Sequence, residues 1–140
     1  MKITPSDIEK RFQKYNKSYF GSALPTPKFG TFFGVRSVGT FTKKIIHGKV
    51  YDPKIMLARN VEWNEDYLQS VICHEMIHYF LATSGYNSGH GYEFRALKKV
   101  FEKDYGVKIY TGRGPIRFID EKTPKYIFDK YWSLLTRNVF

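Results

Sequence analysis

Residues 65–84 read EDYLQSVICHEMIHYFLATS, and their apolar members do not keep to one side of a helix. Leu68, Val71, Ile72, Met76, Ile77, Tyr79, Phe80 and Leu81 surround the axis, so this helix must be buried on most sides and the rest of the chain must wrap it. Glu65 or Asp66 begins it, and Gly85 ends it. Inside this apolar cylinder lie His74, Glu75 and His78. An unpaired buried carboxylate would cost several kcal/mol, on the order of the ~5–15 kcal/mol that holds a whole domain together. Two histidines four apart point the same way, one turn above the other. They can share one metal ion, with the intervening glutamate close enough to act on a metal-bound water. The competing reading is a pair of core histidines bonded to backbone, with Glu75 at the surface. The apolar packing and a third histidine downstream favour the metal.

That third histidine is His90, in Ser88-Gly89-His90-Gly91-Tyr92-Glu93-Phe94. After His78 come Tyr79, Phe80, Leu81, Ala82, Thr83 and Ser84, so the glycine and histidine of a His-x-x-Gly-x-x-His continuation are missing. Glu93 is the nearby carboxylate that a following helix could offer instead. His90 is preferred because its flanking glycines let the backbone bring its ring close to an ion. Three neutral ligands leave zinc its full charge and an open fourth position. Bound zinc lowers the pKa of water from about 15.7 to about 7. Glu75 would then act as general base and return the proton to the departing amine. Tyr86, Tyr92 and Arg95 are near in sequence, but nothing singles out an oxyanion donor. Cys73 turns about 100° from His74 and reads as a small packed hydrophobe. His47 reads as a surface turn residue.

Around this helix the pattern is α+β. Thr4-Pro5 is a helix start, with Ser6 and Glu9 as an alternative capping box, and Ile8, Phe12, Tyr15 and Tyr19 recur at helical spacing over residues 5–19. Gly21 stops that helix, and Leu24-Pro25-Thr26-Pro27 is an extended turn. Phe29, Thr31, Phe33 and Val35 alternate as in a strand. Residues 39–46 and 49–57 read as two more, joined by a His47-Gly48 hairpin turn, with Pro53 favouring an edge position or a bulge. A small, mostly antiparallel sheet is expected. A further helix spans about residues 92–105, with Phe94, Leu97 and Phe101 inward and Lys98, Lys99 and Lys103 outward. Gly112-Arg113-Gly114-Pro115 reads as a loop, residues 116–119 as a short strand, and residues 123–140 as a helix, although Tyr126 and Phe128 also fit a strand.

A length of 140 residues suits one domain over residues 1–140, and 18% aromatic residues supply its core. A single cysteine precludes an internal disulfide and a four-cysteine zinc module. No apolar run reaches the ~18 residues of a membrane span, and the first residues lack a secretory pattern. The expectation is a cytoplasmic protein without membrane contact. The net charge of +10 is uneven: +8 over residues 1–50, −3 over 51–97 and +5 over 98–140. The acidic middle carries the candidate metal site. The basic flanks form either a solvated surface or one that attracts phosphate backbones.

The opening helix leading into Tyr19-Phe20-Gly21-Ser22-Ala23-Leu24-Pro25, the segment Cys73-His74-Glu75-Met76-Ile77-His78, and Gly89-His90-Gly91-Tyr92-Glu93-Phe94 together resemble the SprT-like zinc metalloprotease family, whose eukaryotic relatives include Spartan. The likeness covers roughly residues 5–105, with residues 106–140 as an extension. It implies a zincin-like fold, a zinc ion on His74, His78 and His90, and Glu75 as catalytic base. It also implies proteolysis of proteins attached to DNA. Many members end in a cysteine-bearing zinc ribbon that engages DNA, and this chain has no cysteine beyond Cys73. Lys125, Lys130 and Trp132, in a basic and aromatic tail, are the candidate nucleic-acid contacts in its place. Two other readings stay open: a basic nucleic-acid-binding module with a structural or vestigial metal, and a zinc amidase acting on a non-protein amide.

Overall fold

The computed structural model describes residues 1–111 and Phe118. The expected loop at 112–115, the helix over 123–140, and Lys125, Lys130 and Trp132 lie outside the described residues. Three helices and three strands follow in the order α1 (Pro5–Tyr19), β1 (Lys28–Phe32), β2 (Gly39–Ile46), β3 (Lys49–Ala58), α2 (Glu65–Thr83) and α3 (Tyr92–Asp104). No helix among the described residues is long and apolar enough to cross a membrane.

Helix α1 starts where the Thr4-Pro5 pair predicts. The Thr4 hydroxyl accepts from the Asp7 amide, and the Asp7 carboxylate accepts from the Thr4 amide, a reciprocal cap made with Asp7 rather than through Ser6 and Glu9. Its stripe of Ile8, Phe12 and Tyr15 is buried. Asn16, also buried, donates to the Leu24 carbonyl and accepts from the Leu24 amide, fixing the turn that leads into the sheet.

The sheet is mixed, which corrects the expectation of a mostly antiparallel one. Its order is β1-β3-β2: β2 and β3 form the antiparallel hairpin, but β1 lies parallel to β3 on the other side. Burial explains the neighbour choice, because Phe29 of β1 pairs with Ile55 and meets Phe12 of α1 edge-on at 5.4 Å. The first strand ends at Phe32 rather than reaching Val35. Asn60 takes both backbone groups of Gly34, accepting from its amide at 2.6 Å and donating to its carbonyl at 2.9 Å, so the chain is turned away from the ladder. Phe33 and Val35 are exposed in consequence.

Pro53 is not on an edge strand, since β3 is central. The pairing from β1 starts only at Lys54, so the missing Pro53 N–H leaves no gap in that ladder. On the other side the register jumps from Lys44–Tyr51 to Thr42–Lys54, setting Asp52 and Pro53 opposite Lys43 alone. That is the expected bulge, with Asp52 at φ 51°. The His47-Gly48 turn has φ of 50° and 75°, as a two-residue hairpin requires.

Helix α2 is capped by Asn64, whose side chain accepts from the Tyr67 amide, and residues 71–77 are all buried. One face packs on the sheet, where Phe41 of β2 stacks on Tyr79 at 5.1 Å between ring centres. Another meets α1, and the third meets α3 through Phe94, while Phe101 of α3 packs against Tyr19 and Phe20 at the end of α1. Leu97 of α3 is half-buried, Lys99 and Lys103 are exposed, and Lys98 is half-buried rather than fully outward. The segment after α3 returns along α2, burying Val107 and Ile109. Phe118 is buried and forms an isolated antiparallel bridge with Val61.

The approach of β2 to α2 depends on Gly39. A methyl group there would sit 2.8 Å from Val71 Cγ1, 3.0 Å from Leu57 Cδ2 and 3.2 Å from Glu75 Oε2. Gly39→Ala should therefore destabilise the protein by about 1–3 kcal/mol, read as a lower urea midpoint. An unchanged midpoint would mean that β2 has room to retreat from the helix.

Candidate metal centre

His74 and His78 project from one face of α2, and His90 reaches them from the loop just before α3. The three Nε2 atoms form a nearly equilateral triangle: 3.1 Å between His74 and His78, 3.0 Å between His78 and His90, and 3.0 Å between His90 and His74. Burial grades across the triangle, from His74 buried, through His78 half-buried, to His90 exposed, so one side opens to solvent. Among the described residues, these are the three that could hold a metal ion between them. Glu93, the alternative third ligand, is not in the group.

The hydrogen bonds of the ring backs fix what the fronts present. His74 Nδ1 lies 2.6 Å from the Tyr110 carbonyl, and His78 Nδ1 faces the Ser88 carbonyl. A carbonyl can only accept, so both Nδ1 atoms carry the proton and both Nε2 atoms present a lone pair. Two lone pairs 3.1 Å apart, with no proton between them, repel. A cation between the nitrogens turns that repulsion into attraction. A tetrahedral zinc about 2.0–2.1 Å from each nitrogen sets them about 3.3 Å apart, a few tenths of an ångström wider than here. The residues present fit such an ion.

Phe94 forms the floor. Its ring centre lies 4.9, 4.8 and 4.7 Å from those of His74, His78 and His90, and the side chain is fully buried. Sequence reasoning identifies Phe94 only as an inward residue of α3. It misses Tyr110 and Ser88 altogether, because both act through backbone carbonyls, which leave no mark in side-chain identity.

Glu75, one residue beyond His74, turns toward the start of β2, where its Oε2 faces Gly39. It is 4% exposed, and its carboxyl has no hydrogen-bond or ion-pair partner among the described residues. Burial alone pushes its pKa up to about 8. The reading that placed Glu75 at the surface is thus excluded. Tyr86, Tyr92 and Arg95 are exposed, and none is hydrogen-bonded to the histidines. His47 is on the exposed hairpin turn. Cys73 is fully buried, and desolvation pushes its thiol up, as befits a packed hydrophobe.

Burial lowers the His74 pKa from 6.5 to about 3, with His78 next in effect, and the His78 pKa to about 4, so both rings stay neutral at neutral pH even without metal. The unfolded chain takes up protons near pH 6.5, whereas these rings refuse them. Their contribution to stability is present above about pH 6.5 and is lost as the pH falls toward 4. Glu75 acts in the opposite sense: with a raised pKa, its contribution is present below pH 4.5 and is lost as the pH rises through 8. Metal-free Glu75→Gln protein, which lacks that opposing titration, should therefore show a urea midpoint that drops steadily between pH 7 and 5. A flat midpoint would mean that the imidazoles are solvated rather than buried.

The resemblance noted in the sequence is borne out by comparison with known families. The SprT-like family matches residues 8–111, a span running from the buried stripe of α1 through all three histidines to the Tyr110 carbonyl. No curated protein and no solved structure matches the chain. On the family match, which covers well over half its length, this chain belongs to the SprT-like family.

Proposed function

We propose that this protein is a zinc-dependent endopeptidase of zincin-like architecture, with His74, His78 and His90 as metal ligands and Glu75 as general base. The observation that carries the reading is the convergence of three Nε2 atoms within 3.0–3.1 Å, two of them from a helix whose next residue after His74 is a buried Glu75 with no hydrogen-bond or ion-pair partner among the described residues. A merely structural site needs neither that carboxyl nor an open side. Zinc, when bound, supplies a Lewis acid and a water acidified to a pKa of about 7.

The chain's own groups do the rest. The Tyr110 and Ser88 carbonyls hold two rings in the tautomer that presents Nε2. Phe94 closes the back of the site to water. Glu75 takes the proton of the attacking water at a carboxylate oxygen and passes it to the amine nitrogen as the C–N bond breaks. Its raised proton affinity suits it to that shuttle.

An extended peptide is the substrate that the surroundings favour. Strand β2 is at the sheet edge, with β3 on one side and no strand on the other among the described residues. Its inward residues run beside α2, Gly39 against Glu75 and Phe41 against Tyr79. A free edge accepts an added strand through main-chain hydrogen bonds, which brings a peptide alongside the site without reading its sequence. The net charge of +10 favours substrates held near DNA, in line with the family resemblance.

Zinc-loaded protein should cleave a loosely folded protein substrate, and Glu75→Gln should lower the rate by at least about 10²–10³-fold while leaving the fold intact. Low-salt addition of single-stranded DNA should raise cleavage of a DNA-binding substrate. Retained activity in Glu75→Gln would overturn the catalytic assignment. Indifference to DNA would remove only the substrate class.

A further inference from the structure

The geometry points to Lys43 as a specificity-determining residue that selects an acidic side chain next to the scissile bond. This inference rests on the peptidase reading above. The inward residues of β2 follow one another along α2: Gly39 lies against Glu75, Phe41 against Tyr79, and Lys43 next, level with the loop that carries His90. Lys43 is half-buried, its ammonium 5.8 Å from the Phe41 ring centre and 3.4 Å from the Ser88 hydroxyl. Ser88 is the residue whose carbonyl accepts from His78. The ammonium is therefore held one residue from a ring of the triangle, on the edge strand to which a peptide would add.

Its own bonding is incomplete. Among the described residues no carboxylate lies within ion-pair distance of Lys43, whereas Arg11, Lys28 and Lys54 each have one. A single long bond to a neutral hydroxyl leaves two ammonium donors unused. The bulge at Asp52 and Pro53 falls directly opposite Lys43, and the β2 residues beyond it, Lys44, Ile45 and Ile46, are all exposed. Lys43 is thus the last half-buried side chain of β2. A partly desolvated cation with spare donors beside a peptide-binding edge recognises a carboxylate, and it discriminates against lysine or arginine at the same subsite. Since the ammonium meets Ser88, whose carbonyl takes the Nδ1 side of the His78 ring opposite its Nε2, its contact is with a flanking side chain rather than with the reacting carbonyl.

The test uses the zinc-loaded 140-residue protein and a matched set of fluorogenic peptides carrying Glu, Gln or Lys at each successive position around the scissile bond, at low salt. Wild type should favour Glu over Gln at one position by roughly three- to tenfold in kcat/KM, mainly through KM, and the preference should shrink with added salt. Lys43→Arg should retain the preference, Lys43→Gln should lose it, and Lys43→Glu should turn it toward the Lys peptide. Zinc content and circular dichroism of each variant show that the fold is kept. Cleavage with the same Glu/Gln ratio in wild type and Lys43→Glu would overturn this inference alone. Cleavage of no peptide by the zinc-loaded wild type would overturn the peptidase reading, and this inference with it.

Discussion

Three imidazole nitrogens facing one another across about 3 Å are an arrangement that packing alone does not favour. His74 and His78 have their protons committed to the Tyr110 and Ser88 carbonyls, so what meets in the middle is electron density. The rest of the fold supplies the restraint that keeps them there. Helix α2 is enclosed by the sheet, α1 and α3, the segment after α3 returns to place Tyr110, and Phe94 underlies all three rings. Imidazoles held neutral and aligned in this way would spare the proposed ion both a proton-release cost and an ordering cost on binding.

The same enclosure accounts for Glu75. A carboxyl this buried resists ionisation, and no neighbouring cation among the described residues offsets that tendency. A nearby divalent ion would favour the charged form, so the group's proton affinity is poised between the two environments. Gly39 lets the edge strand come close enough to shield that carboxyl. The histidine triangle, the Glu75 carboxyl and the strand edge are in this way parts of one packed unit rather than features added to a finished core.

Much of this was legible in the sequence, and the reasons differ by element. Thr4-Pro5 and Gly85 mark helix ends because caps and left-handed turns have few chemical solutions. His47-Gly48 marks the hairpin for the same reason. The all-round apolar pattern of residues 65–84 revealed a buried helix, and buried histidines demanded a partner. What stayed hidden depends on distant parts of the chain. Alternation along β1 says which face is buried but not which strand lies alongside, so the parallel pairing with β3 could not be read. The end of β1 was set by Asn60, twenty-six residues away from Gly34. The ring-orienting partners were carbonyls, and a carbonyl looks the same at every residue.

The proposed activity depends on a single divalent ion shared by His74, His78 and His90. Zinc content per folded chain, measured after dialysis for wild type, for each histidine replaced by alanine, and for Glu75→Gln, tests that most directly. One zinc per chain in wild type and Glu75→Gln, with loss in all three histidine variants, is the predicted result. Full zinc retention in His90→Ala, or a folded wild type that binds none, would contradict it.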